Sequence, residues 1–144
     1  MEHGEGKLSS RVWSNVQYET DDGIGSRARI GMVVISNDQP LSYEARAMLT
    51  IPGVALYESR VLSARDRDQA VTVEILRRFA DRIDGAIRQI NTMRPSDVIA
   101  LGCTSAAMVI GSQELKRRVR EVHPRAHVTD PFTGILTAAA SGRC

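Results

Sequence analysis

A chain of 144 residues, 42% hydrophobic and 25% charged, is long enough to bury a core without disulfides or metal, and it reads as one globular domain. Its net charge of +2 comes from basic residues spread along the chain, which excludes the clustered basic face of a nucleic-acid binder. The two cysteines, Cys103 and Cys144, form no disulfide framework, and no apolar run approaches the roughly 18 residues of a membrane span. The N-terminal stretch MEHGEGKLSSRVW lacks the apolar region of a signal peptide, so a cytoplasmic protein with no membrane partner is expected.

Residues 1–28 are polar and glycine-dotted and read as a peripheral extension to a single lobe spanning 29–144. RIGMVVIS, Arg29–Ser36, is a short Val/Ile-rich run that predicts a strand buried on both faces. NDQP follows as a turn, and LSYEARAML predicts a helix with Asp38 or Ser42 as its cap. After the break at IPG, VALYESRVL predicts a second strand, Val54–Leu62.

Val71, Ile75, Leu76, Phe79, Ile83, Ala86, Ile87 and Ile90 recur at spacings of three and four, and predict one long amphipathic helix. Glu74/Arg78 and Asp84/Arg88 are its expected outer pairs, and Gly85 costs it about 1 kcal/mol relative to alanine. MRPSD ends it, because proline disfavours helix at the preceding residue.

VIALG, Val98–Gly102, predicts a third strand running straight into a short helix, TSAAMVIG. SQELKRRVREV continues beyond a break at Gly111, with Ser112 as a candidate cap and the basic run Lys116–Arg120 as a solvated face. AHVTD is a fourth, shorter strand, and Pro131 suits the first turn of a last helix, PFTGILTAAA. Strictly alternating strands and helices predict an α/β, flavodoxin-like or Rossmann-like lobe, with a parallel four-stranded sheet flanked by helices.

In such sheets ligands bind beyond the carboxyl ends of the strands. Ser36, Asn37 and Asp38 lie beyond the first strand, Cys103, Thr104 and Ser105 beyond the third, and Thr129 and Asp130 at the fourth. The third group is the richest. Free N–H groups at a helix start favour an anion such as a carboxylate, Thr104 and Ser105 add hydroxyl donors, and the same field favours thiolate at a cysteine placed there. Buried cysteines are more often inert packing, and Ser or Thr at a helix start is more often a cap.

Spacing excludes other cysteine chemistries: Val109 stands where a cysteine phosphatase needs arginine, and Ala106 where a thioredoxin pair needs its second cysteine. No Gly-Lys-Ser/Thr triplet marks a P-loop, and Pro124 between His123 and His127 makes a zinc pair a poor reading.

RIGMVVIS, LSYEARAML, PGVALYESRV and above all LGCTSAAMVIG resemble the aspartate/glutamate racemase superfamily, in the branch of maleate cis-trans isomerase, arylmalonate decarboxylase and the ectoine-utilisation protein. The resemblance runs from Arg29 to Ala140. It implies one of two flavodoxin-like lobes with the site between them, no cofactor and no metal, and a small maleate- or arylmalonate-like carboxylate as substrate. It implies Cys103 as the first-lobe catalytic cysteine, Thr104 and Ser105 as carboxylate donors, and Ser36, Asn37 and Asp38 as substrate contacts. Ile35 stands where the isomerase has proline.

The expected function is therefore the N-terminal lobe of a cofactor-independent isomerase, racemase or decarboxylase, holding half of an active site and inactive alone. Either a second lobe or a second copy would supply the rest. The alternative is a non-catalytic module that binds a small carboxylate or a protein.

Overall fold

The computed structural model describes residues 17–63, 65–90 and 93–142. Within them the order is β1 (Ala28–Ile35), α1 (Pro40–Met48), β2 (Val54–Val61), α2 (Val73–Ala80), α3 (Ile83–Gln89), β3 (Val98–Gly102), α4 (Thr104–Ile110), α5 (Ser112–Val122), β4 (His127–Thr129) and α6 (Pro131–Ala140). The strands form one sheet in the order β2-β1-β3-β4, and every pairing is parallel. The four-stranded α/β lobe expected from alternation is what forms. The first 16 residues of the expected extension lie outside the described residues.

Strand side chains alternate between two faces. On one, Val33, Val61, Ile99 and Leu101 join Phe79, Ile83, Ile87, Leu115 and Val119 of the overlying helices in the main core. Burying each large side chain there contributes on the order of 1.5–3 kcal/mol. On the other, Met32 and Val34 are buried. Here lies α1, with Leu41 against Gly102, Arg46 paired with Glu58, and Ser42 bonded to Arg60. The chain thus leaves β1 for β2 over one face and returns to β3 and β4 over the other, as right-handed crossovers require. The strand order reverses between β1 and β3, so a crevice opens beyond their carboxyl ends.

The expected long helix is two. Arg82 N donates to Phe79 O at 3.0 Å, a tightened turn that ends α2 before α3 begins. α2 packs on α4, whereas α3 packs on β1, β2 and α5, and one straight rod does not follow both. Val71 falls outside the helix, because Thr72 caps it by accepting from Ile75 N at 3.3 Å. The Glu74/Arg78 pair forms, but Asp84 faces Arg118 of α5 at 3.6 Å instead of Arg88.

Caps also sort themselves out. Asp38 accepts from Leu41 N at 3.1 Å at the start of α1, while Ser42 lies inside the helix. Ser112 does not cap α5; it is the first helical residue, after Gly111 turns the chain with φ +81°, a conformation that favours glycine. In the basic run, Arg117 and Arg118 bond Glu114, and Arg117 also bonds Glu121, so these charges are largely answered on their own helix.

Candidate functional site

β1 and β3 each lead directly into residues with polar side chains. β1 ends at Ile35, and the turn beyond it carries Asn37; β3 ends at Gly102, and Cys103 follows as the N-cap of α4. Cys103 has extended backbone, φ −153° and ψ 109°, and its side chain makes no capping bond, so the thiol is not committed to the helix start. It is a half-buried free cysteine packed against the edge of the main core.

Asn37, Cys103 and Ser105 line one cavity of about 140 Å³ at this crevice. Ser63 and Arg65, from the loop beyond β2, complete its polar rim. Ile35, Val71, Ile75, Leu76 and Phe79 form an apolar wall. An apolar cavity on the order of 150 Å³ takes one benzene, so this wall has room for a ring-sized group.

Arg65 Nη1 donates to Gln69 O at 2.8 Å, which ties one arm of the guanidinium to its own loop. A guanidinium carries five N–H donors, so a tethered arginine at a cavity rim can still grip a carboxylate. The lining combines a thiol, two hydroxyls, an amide and a cation with an apolar wall.

The other residues singled out from sequence lie outside this lining. The Ser36 hydroxyl accepts from Ser63 N at 3.0 Å, and the Asp38 carboxylate is occupied by Leu41 N. Thr104 is exposed on the first turn of α4, and Thr129 is exposed at the end of β4, paired in register with Ala100. Asp130 is buried, with one carboxylate oxygen on Thr133 N at 2.8 Å and the other on its hydroxyl at 2.6 Å; it caps α6. Ser63 and Arg65 were not among the residues singled out. The strand-end rule points to the loop that carries them, since it follows β2 directly, but not to which of its residues face the cavity.

His123 and His127 point to different places. His123 is fully buried, its Nδ1 accepting from Ser96 N at 3.0 Å and its Nε2 lying 3.3 Å from Ile87 O, while His127 is exposed. Among the described residues no cluster of three or more His, Cys, Asp or Glu side chains could hold a metal ion, and no helix is long and apolar enough to cross a membrane.

This fold is similar to that of the maleate isomerase of Pseudomonas putida S16. One solved structure of that enzyme superposes with a TM-score of 0.56 and a variant with maleate with 0.55, each at 20% identity and covering 80% of this chain. The chain spans about half the length of these solved structures, 50% and 49%. No protein-family model and no curated relative matches the sequence. At this identity the likeness speaks for the fold, and the chemistry must be argued from the cavity.

Proposed function

We propose that this chain is a lobe of the aspartate/glutamate racemase type that binds a small carboxylate for cofactor-independent isomerisation, racemisation or decarboxylation. The observation that carries this is the cavity at the β1/β3 crevice, where Cys103 and Ser105 meet Asn37 and Arg65. In this reading Ser105 holds a substrate carboxylate at the start of α4, and Arg65 neutralises its charge. Cys103 acts as nucleophile or proton-transfer base on the adjacent carbon. The maleate-bound neighbour supports the small-dicarboxylate part of the reading. The apolar wall supports a substrate whose reacting carbon bears an apolar substituent, as an arylmalonate does.

Of these reactions, racemisation needs groups on both faces of the reacting carbon, because a proton removed from one face is returned from the other; decarboxylation and isomerisation through a thiol adduct each need a group opposite the thiol to hold the rest of the substrate. Among the described residues Cys103 is the only cysteine. The lobe by itself is therefore proposed to bind substrate with little turnover, and its second face is supplied by another lobe or another copy. That Cys103 is the one cysteine lining the cavity favours a second reading, a carboxylate-binding module with no turnover of its own.

The test is titration calorimetry of the purified chain with maleate and with phenylmalonate, followed by NMR of the mixtures over hours. Millimolar or tighter binding with negligible conversion is expected. Absence of binding for both acids sinks the proposal. Robust conversion abolished by Cys103→Ser overturns the claim that the lobe needs a second half.

A further inference from the structure

Three side chains that do not line the cavity hold its rim together. Asn37 sits on the loop after β1, Ser63 and Arg65 on the loop after β2. Ser36 bridges the two loops: its N–H donates to Val61 O at 2.8 Å and its hydroxyl accepts from Ser63 N at 3.0 Å. Arg60, at the surface end of β2, reaches across to the loop after β1. Its Nη1 donates to Asp38 O at 2.9 Å and Ser36 O at 3.3 Å, with Ile35 O at 3.5 Å, and its Nη2 donates to Ser42 Oγ at 2.7 Å. Arg82, at the turn between α2 and α3, takes the carbonyls of the loop after β2, Leu62 O at 3.3 Å and Ser63 O at 3.4 Å.

Apart from Ile35 O, which ends β1 and also accepts from Asp38 N at 3.0 Å, these carbonyls belong to loop residues outside the strands and helices, and backbone acceptors left without partners are costly unless water reaches them. A planar guanidinium can serve several at once, which a lysine cannot. Each arginine is therefore committed to a loop backbone on one side of the cavity, and Ser36 joins the two sides.

We propose that Ser36 and Arg60, with Arg82, are positioning residues that set Asn37, Ser63 and Arg65 at the cavity mouth over Cys103. The inference deepens the functional reading and rests on it for the use of the cavity. It assigns Ser36 a role through Ser63 rather than on a ligand.

The experiment uses the full chain in a Cys144→Ser background, so that Cys103 is the only thiol, with Ser36→Ala, Arg60→Ala and Arg60→Lys. Amide hydrogen exchange is read by NMR, Cys103 reactivity by its alkylation rate with iodoacetamide, and stability by Tm. Ser36→Ala is expected to speed exchange of the Ser63 amide, and Arg60→Ala that of the Asp38 amide, by about tenfold, while the Ile99 amide in β3 is unchanged. Both are expected to change Cys103 alkylation by about threefold, because the rim over the thiol moves. Arg60→Lys restores part of both.

Unchanged exchange and alkylation overturn the proposal. So does acceleration of all amides in step with a lower Tm, the mark of a purely structural role, and so does faster loop exchange with unaltered alkylation. Should Arg60→Ala not fold, Ser36→Ala and Arg60→Lys decide it on the same readouts. Binding of maleate or phenylmalonate by the unsubstituted chain is measured in parallel; its absence counts against the functional reading and not against the rim.

Discussion

Leu41 of α1 rests on the backbone of Gly102, the last residue of β3: a β-carbon at Gly102 would lie 2.3 Å from Leu41 Cδ2 and 3.3 Å from the Val33 carbonyl oxygen. The glycine before Cys103 is thus a packing requirement. It lets α1 close over one face of the sheet beside the strand end that bears the thiol. Gly102→Ala is expected to cost about 1–3 kcal/mol, because the Leu41 methyl can swing aside but the neighbouring strand cannot. Urea unfolding measures this; a midpoint equal to that of the unsubstituted chain contradicts it.

His123 is a buried polar residue at the end of α5 that links it to Ser96 and Ile87. Because Ser96 N–H donates to Nδ1, the ring proton resides on Nε2, which then donates to Ile87 O. His123→Leu keeps the volume but strands a buried N–H and a carbonyl. A loss of about 2–4 kcal/mol is expected, each orphaned group contributing 1–3. Nitrogen-15 NMR of the imidazole should show the Nε2–H form, and the opposite tautomer would refute the assignment.

On α5 the Arg117 and Arg118 guanidiniums hydrogen-bonded to Glu114 hold its carboxyl down to about 2 from an ordinary 4.5. The folded value lies below the unfolded one, so this contribution to stability is full above about pH 4.5 and is lost as pH falls towards about 2. The stability difference between the unsubstituted chain and Glu114→Gln should therefore be constant near neutrality and shrink through that acid window. The groups are at the surface, so the difference is small and declines with salt. A difference that grows on acidification is inconsistent with the pairing.

The strands were legible because buried parallel strands are written as short Val/Ile runs, and RIGMVVI and VIALG are of that kind. The turn at Cys103 was legible because an apolar run changes there from strand to helix without a break. Periodicity, however, does not record a bend: the apolar stripe from Ile75 to Ile90 continues across Asp81 and Arg82, where the helix turns to leave α4 for the sheet. Nor does sequence say which polar groups are already spoken for. Ser36, Asp38 and Asp130 are strand-end residues of the right chemistry, and the backbone takes all three. Arg65 was hidden by its neighbours, since SARDRDQ has the charge pattern of a solvated loop, and only the fold turns one of its arginines to the cavity.

Arg65 gives the sharpest test of the site. It is the cation of the cavity rim, tethered through Gln69 O, and it faces the same space as Cys103 and Ser105. A charge-assisted hydrogen bond to a carboxylate is worth about 1.5–3 kcal/mol, so Arg65→Ala should weaken binding of phenylmalonate by roughly tenfold to a hundredfold. Arg65→Lys should fall between, because an ammonium offers charge without the fork that matches a carboxylate. The affinity of the unsubstituted chain should drop as salt rises, and that dependence should be weaker in Arg65→Ala. Tm should move little, since Arg65 contributes to the rim and not to the core. Calorimetry at two ionic strengths separates the outcomes: an unchanged dissociation constant in Arg65→Ala removes the arginine from the site and leaves carboxylate recognition to the hydroxyls and backbone at the start of α4.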